Sequence, residues 1–261
     1  SKDILVGAVT TSKQFTQVYT RKEPQGIRVR ITCQMDSIKI SPGEKIHSEK
    51  ISFFAGQKEQ ISNYFSEKIA DEMDVKFINK PISGLCCSYY WKGGFVSEKI
   101  IKKELDALNK YSDEFRLDFI QIDGGYTRKG DWYDYKQRFP KGFKKIVSEI
   151  KQNGLKAGIW LSPLVASTNS EMFKKHRDWF LKKDNGNYIN IFNFSPTDGL
   201  LKGRRLKAID PSNKDFKKHL TEVFKYYKET GFELFKLDFL HPVCLTNNFA
   251  ENLTRVQAIR E

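Results

Sequence analysis

The sequence predicts an α/β protein in which a β-rich N-terminal part precedes a series of alternating strands and helices. Two observations predict this fold. Over residues 1–56, turn residues separate short runs of β-branched and aromatic residues. From residue 81 onward, apolar runs alternate with amphipathic segments. Strict alternation of strand and helix indicates right-handed crossovers and a parallel sheet.

The composition indicates a globular chain. Of its 261 residues, 39% are hydrophobic, and 20 Phe, 11 Tyr and 4 Trp supply a core. No apolar run approaches the roughly 18 residues of a membrane span. The net charge of +13 comes from lysines interspersed with acidic residues, which favours a solvated surface over a nucleic-acid-binding one. The cysteines show neither a CxxC pair nor zinc spacing, which favours reduced thiols and a cytoplasmic location. They are Cys33, Cys86, Cys87 and Cys244.

Residues 1–56 are predicted to be the C-terminal part of a β-sandwich domain. The predicted strands cover residues 4–9, 15–20, 27–33 and 45–54. A few strands do not make a stable sandwich alone, so this part is expected to belong to a larger β domain. Residues 57–80 are predicted to be a linker, with a helix over 57–73 whose apolar residues recur at helical spacing.

Residues 81–261 are predicted to form the N-terminal half of a (β/α)8 catalytic barrel. The predicted strands cover residues 82–88, 117–123, 155–161 and 232–240, and the predicted helices cover 97–110, 143–153, 214–230 and 248–261. A long ordered loop with a short helix over 171–180 interrupts the series. Because a whole barrel takes about 250 residues, the chain is expected to end about halfway round. A completing polypeptide or a second copy of the chain is then expected to cover the open sheet edges.

The strand over residues 232–240 places two charged residues near its C-terminal end. Side chains alternate along a strand, so Lys236 and Asp238 share one face. Enzymes built from parallel strands and helices place their chemistry at this end. A purely structural interpretation is equally open, in which the aspartate caps a turn and the lysine extends to the rim.

Two other strands end in the same manner. Asp123 follows an apolar strand directly, although Asp-Gly is also a common turn dipeptide. Gly158 and Trp160 share a face of the next strand, which suits a sugar-stacking platform, although a tryptophan of the core is as common. Because three strand ends repeat the arrangement, a shared site is predicted.

Several spaced motifs in this region resemble the retaining α-galactosidases of glycoside hydrolase family 36, in clan D. In chain order they are Phe119-Ile-Gln-Ile-Asp-Gly-Gly-Tyr126, Gly130-Asp-Trp132, Phe139-Pro-Lys-Gly142, Gly154-Leu-Lys-Ala-Gly-Ile-Trp-Leu-Ser-Pro163, Gly203-Arg204, Ile209-Asp-Pro211 and Phe235-Lys-Leu-Asp-Phe239. Their order matches that of the family, and the resemblance covers essentially residues 81–245.

The resemblance implies a role for each candidate residue. Asp238 is the nucleophile of a double displacement, and Lys236 binds sugar hydroxyls beside it and keeps it ionised. Asp123 accepts hydrogen bonds from galactose hydroxyls, while Trp160 and Arg204 line the sugar pocket. The expected substrate is an oligosaccharide or another α-galactoside. No metal or cofactor is implied, and no nucleic-acid or membrane partner.

Three departures from the family pattern are visible. Gly124 stands where the family has a second aspartate that helps to hold galactose, so the identity of the sugar is left open. Leu85 and Ser88 stand where the family has aromatic residues. The general acid of the family lies beyond Glu261. None of the other candidate carboxylates occupies its position; they are Asp131, Asp134, Asp210 and Glu251. The chain alone is therefore expected to have little or no hydrolase activity.

Two alternative functions remain open from the sequence. One is a relative resembling raffinose synthase, which passes galactose to another sugar instead of to water. The other is a non-catalytic, sugar-binding half barrel that a partner completes.

Overall fold

The computed structural model describes residues 3–76, 80–87, 96–111, 114, 116–191 and 206–261. The chain divides into two compact units, of which the first comprises residues 1–79 with 251–261 and the second residues 80–250. The predicted division at residues 56 and 80 into sandwich, linker and half barrel stays a prediction.

The described residues form eleven strands and six α-helices. The strands are β1 (Asp3–Ala8), β2 (Thr16–Glu23), β3 (Gly26–Cys33), β4 (Ile51–Gly56), β5 (Gly84–Cys86), β6 (Phe119–Ile122), β7 (Lys156–Leu161), β8 (Val165–Ser167), β9 (Asn190–Ile191), β10 (Leu206–Ala208) and β11 (Leu234–Leu237). The helices are α1 (Lys58–Glu72), α2 (Glu98–Lys110), α3 (Phe143–Gln152), α4 (Glu171–Lys175), α5 (Lys214–Thr230) and α6 (Arg255–Arg260).

The first unit consists of two antiparallel strand pairs and two helices. β1 pairs with β4, and β2 pairs with β3 in a hairpin. α1 packs its Phe65 against Phe54 with ring centroids 6.1 Å apart. α6 is shorter than predicted because Thr254 and Gln257 form a capping box that fixes its start. Arg255 of α6 then pairs with Asp36, at 2.5 Å.

The second unit is built on a parallel sheet with the strand order β5-β6-β7-β11. The strands follow one another round the sheet in chain order, with α2, α3 and α5 in the connections. Ile120, Ile122, Ala157 and Ile159 are buried on these strands. This is the arrangement of the first four units of a (β/α)8 barrel. The predicted fold class is confirmed.

The long segment after β7 contains more structure than the predicted loop and helix. β8, β10 and β9 form a three-stranded antiparallel sheet. α4 ends at Lys175 and is followed by a 3-10 helix over Arg177–Trp179. Strands of two or three residues are too short to show the alternation by which a strand is recognised in a sequence.

Two glycines end helices in left-handed conformations, as the sequence predicts. Gly154 follows α3 with φ +74°, and Gly231 follows α5 with φ +109°. A Cβ at residue 231 would lie 3.0 Å from Val147 Cγ1, whereas a Cβ at residue 154 would meet no atom within 4 Å.

We predict that Gly231→Ala destabilises the chain more than Gly154→Ala. Both substitutions force alanine into positive φ, which costs about 1–3 kcal/mol. Only Gly231→Ala also crowds α3. Urea unfolding of the two variants measures the difference, and equal free energies of unfolding would contradict this explanation.

Candidate functional site

The carboxyl ends of the parallel strands bring four predicted residues together. Asp123 follows β6 directly, Asp238 follows β11 directly, Trp160 lies on β7, and Lys236 lies on β11. Lys236 Nζ is 2.9 Å from Asp123 Oδ2. Trp160 Nε1 donates a hydrogen bond to Asp238 Oδ2 at 3.1 Å. Arg204 and Ser88 lie outside the described residues.

Asp123 is 7% exposed and receives several hydrogen bonds. Its Oδ2 accepts from Lys236 Nζ at 2.9 Å, from Gln121 Nε2 at 2.7 Å and from Cys86 Sγ at 3.0 Å. Its Oδ1 accepts from the Gly124 backbone N–H at 2.7 Å. Burial alone would raise the pKa of Asp123, but the donors, Cys86 and Lys236 foremost, outweigh it and lower that pKa below the usual range. Asp123 is therefore ionised.

The partner of Lys236 differs from the sequence expectation. From the sequence, Lys236 is expected to pair with Asp238, because the two residues share a strand face. The ion pair in the structure joins Lys236 to Asp123. β7 lies between the strands that carry them, and a cross-strand pairing of this kind cannot be derived from spacing along one strand.

Asp238 is oriented by two N–H donors. Trp160 Nε1 donates to Oδ2, and the backbone N–H of Phe239 donates to Oδ1 at 2.8 Å. Phe239 has φ +54°, a left-handed conformation that is unfavourable for a bulky residue. β11 consequently ends at Leu237 and not at residue 240 as predicted. Backbone strain of this kind clusters at functional sites.

Trp160 is held in place by contacts to its ring and by a hydrogen bond to its backbone carbonyl. The ring packs edge-on against Trp132, at 6.5 Å, and against Phe239, at 6.4 Å. Its carbonyl accepts a hydrogen bond from the Tyr126 hydroxyl at 2.9 Å. Burial raises the pKa of Tyr126, so this phenol stays a donor. The Lys129 ammonium lies 5.4 Å from the Trp160 ring centroid.

Gly124 permits the close approach of Trp160. A Cβ at residue 124 would lie 3.3 Å from the indole ring, which is tight for an ordinary contact. The residue that departs from the family pattern therefore packs directly beneath the tryptophan of the site.

Sequence reasoning missed Cys86, Gln121, Lys129 and Phe239 as neighbours of the site. A signal existed for Gln121, because it shares a strand face with Asp123. Cys86 lies opposite Gln121 in the β5–β6 register, and a register across strands is not visible in one sequence.

Two of the alternative carboxylates have local structural contacts. Asp131 Oδ1 accepts from the backbone N–H of Glu171 at 2.9 Å. Asp210 accepts from the Ser212 hydroxyl at 2.7 Å and from the Ala250 N–H at 2.7 Å. These bonds hold loops together.

A search of the described ranges finds no group of three or more His, Cys, Asp or Glu side chains arranged to hold a metal ion. Within the same ranges, no helix has the length and apolarity to cross a membrane.

The known proteins that this chain resembles are α-galactosidases. Residues 119–193 match the melibiase family model. The predicted resemblance to α-galactosidases is confirmed. The melibiase segment begins with β6 and includes Asp123 and Trp160. Over 157 residues, 51% of this chain, the sequence is 30% identical to α-galactosidase 1 of Pediococcus pentosaceus. Over 71 residues, 25% of this chain, it is 31% identical to an Escherichia coli α-galactosidase.

Solved α-galactosidases share the fold. The Thermus thermophilus enzyme TtGalA, solved with stachyose, superposes with a TM-score of 0.68 over 94% of this chain at 21% identity. The family 36 enzyme AgaB of Geobacillus stearothermophilus superposes with a TM-score of 0.64 over 99% of this chain at 16% identity. The matches cover 21% and 10% of the Pediococcus and Escherichia relatives, and 46% and 36% of the two solved chains. The chain thus spans less than half the length of these relatives.

We predict that Lys236→Met raises the pKa of Asp123. The substitution removes a hydrogen bond and a positive charge while burial, which favours the neutral acid, remains. In the unmodified chain the depressed pKa adds stability that is present above the unfolded-state value of about 3.9. This stability is lost as the pH falls through the folded pKa, so Lys236→Met reduces it.

Carbon-detected NMR titration of the Asp123 carboxyl measures the shift, and Lys228→Met, on the exposed surface of α5, is the matched control. An unchanged Asp123 pKa in the Lys236→Met chain would show that the ion pair does not control it.

Proposed function

We propose that this chain carries the nucleophile half of a retaining α-galactosidase site, with Asp238 as the nucleophile. The observation that carries the proposal is the placement of Asp238. Its carboxylate lies at the carboxyl end of a parallel strand, where two N–H donors orient it beside a strained turn. Fixed orientation of a nucleophile is a main requirement of double displacement.

The neighbouring residues suit the binding of sugar hydroxyls. Asp123 is an ionised acceptor whose Oδ1 receives one described hydrogen bond, from Gly124. Lys236 is a donor with 32% of its side chain exposed. We assign sugar binding to these two residues and the wall of the sugar pocket to Trp160. Arg204 is retained as a wall residue on the basis of the family resemblance.

The proposed reaction proceeds in two displacements. An Asp238 carboxylate oxygen bonds to the anomeric carbon as the bond to the aglycone oxygen breaks, and that oxygen takes a proton from a general acid. Water then attacks the anomeric carbon and releases Asp238, giving its proton to the same residue acting as base. Two carboxyls about 5–5.5 Å apart are needed. By the family resemblance, the second one is outside residues 1–261.

The named relatives support a proposal for the substrate class. The matched proteins are named α-galactosidases, and TtGalA was solved with stachyose. We therefore propose terminal α-linked galactosides, including oligosaccharides, as substrates. Transfer of galactose to a second sugar is the same chemistry with a different acceptor. Product analysis with an added sugar acceptor distinguishes this transfer from hydrolysis.

A completing polypeptide is proposed for the open sheet. Among the described residues, β5 and β11 are the outer strands of the four-stranded sheet, and Leu237 on β11 is 43% exposed. Unpaired strand edges favour pairing with further strands. A second copy of this chain is the other candidate, and light scattering of the purified chain distinguishes a dimer from a monomer.

A cytoplasmic location is proposed from the cysteines. All four lie in the described part of the chain, and none of them forms a disulfide there, as expected of a reducing compartment.

We predict that the 261-residue chain hydrolyses p-nitrophenyl α-galactoside at no more than background rate but releases dinitrophenol from dinitrophenyl α-galactoside once per site. The second leaving group departs without a proton, so a missing general acid does not block the first displacement. Rapid-mixing absorbance measures the release. Asp238→Asn abolishes it, whereas Asp178→Asn, an exposed control, leaves it intact.

The outcome that contradicts the assignment of Asp238 is equal release by the Asp238→Asn chain. Steady hydrolysis of the p-nitrophenyl substrate would instead contradict the location of the general acid outside this chain.

A further inference from the structure

A cavity lies in the same unit as the candidate site. It has a volume of about 390 Å³ and is lined by Arg128 and residues 130–134, by residues of α4 and the 3-10 turn that follows it, and by His219 of α5. Its lining residues are not the four that meet at the strand ends. A cavity of this size can enclose a small ligand.

Aromatic and imidazole rings line much of the cavity. His176 stacks on Trp179 with centroids 3.9 Å apart and ring planes 14° apart. Trp132 is buried, whereas Tyr133 is 45% exposed. Tyr133 also meets His219 edge to face at 6.4 Å. The lining thus combines aromatic side chains with one exposed phenol, which suits a ligand that has both a C–H face and hydroxyl groups.

Charged side chains of both signs also line the cavity. Arg128 Nη1 lies 3.3 Å from Asp131 Oδ2, and Lys175 Nζ lies 3.5 Å from Glu171 Oε2. Asp134 is exposed and adds a third carboxylate. Two cations against three carboxylates leave the lining nearly neutral. A phosphate would meet the carboxylates, and a metal ion would meet the cations, so neither is favoured.

A polar atom in the lining lacks a partner. His219 Nε2 is buried, and no described group hydrogen-bonds to it. Burial of an unpaired polar group is unfavourable, and a ligand hydroxyl that displaces the Tyr133 edge can pair with it. Burial, followed by the charge of His176, lowers the pKa of His219, so the imidazole presents one donor and one acceptor nitrogen.

We propose that this cavity, formed around Tyr133, His176 and Trp179, is a second binding site for an uncharged sugar. A pyranose ring packs against Tyr133 and His176, the more accessible rings, and its hydroxyls pair with the charged rim. Trp132 lines the cavity and packs against Trp160, so one indole separates it from the candidate active site. The ligand is either a separate sugar or a distant unit of an oligosaccharide held at Asp238.

Calorimetric titration of the whole chain with stachyose and with galactose tests this site. Asp123→Asn removes the charged acceptor at the strand ends, and the cavity variants then show whether the binding that remains belongs to the cavity. We expect stachyose binding to persist in Asp123→Asn and to weaken at least tenfold when Tyr133→Ala or His176→Gln is added. Tyr111→Ala, at a similarly exposed tyrosine, is the control and leaves affinity unchanged. Galactose binding in Asp123→Asn indicates a separate sugar, and binding of stachyose alone indicates the distant unit.

Loss of all binding in Asp123→Asn, with the folded circular dichroism spectrum retained, would overturn the proposal. So would unchanged affinity in both cavity variants. These outcomes leave the nucleophile assignment untouched, because that assignment is read from dinitrophenol release and its dependence on Asp238.

Discussion

The ion pair between Lys236 and Asp123 links two strands that do not pair with each other. β6 and β11 lie on opposite sides of β7, and neighbouring strands are about 4.8 Å apart, so the two backbones are about 10 Å apart. A long cationic side chain is needed to cross that distance. The registers place Lys236 opposite Trp160 and Ile122 opposite Ile159, so Asp123, one residue farther on, lies level with Trp160. The site therefore depends on the parallel register of three strands.

The two aspartates of the site have different environments, which gives them different chemistry. Asp123 is buried and kept ionised by a lysine, a thiol and N–H groups, which suits a fixed acceptor of hydroxyl protons. Asp238 is partly exposed and oriented by an indole N–H and a backbone N–H. The orientation of its carboxylate, and not its burial, is what suits Asp238 to the proposed role of nucleophile.

The sequence predicted the features that depend on local pattern. The four parallel strands, the bounds of α5 and the helix-ending Gly231 follow from apolar periodicity and glycine chemistry. Asp123 and Asp238 were recognisable because each directly follows an apolar run. The features that the sequence did not predict depend on residues that are distant in the chain but close in the fold. These are the partner of Lys236, the approach of Cys86, the short strands β8 to β10, and the strained turn that ends β11 at Leu237.

Covalent labelling tests the central claim most directly. The 261-residue chain is incubated with a fluorinated α-galactosyl fluoride, whose fluoride leaves with little acid assistance and whose ring fluorine slows hydrolysis of the ester. Peptide mapping by mass spectrometry then locates the sugar. The account predicts one galactosyl ester, on Asp238. An ester on another carboxylate, or an unlabelled chain that is folded and binds galactosides, would contradict it.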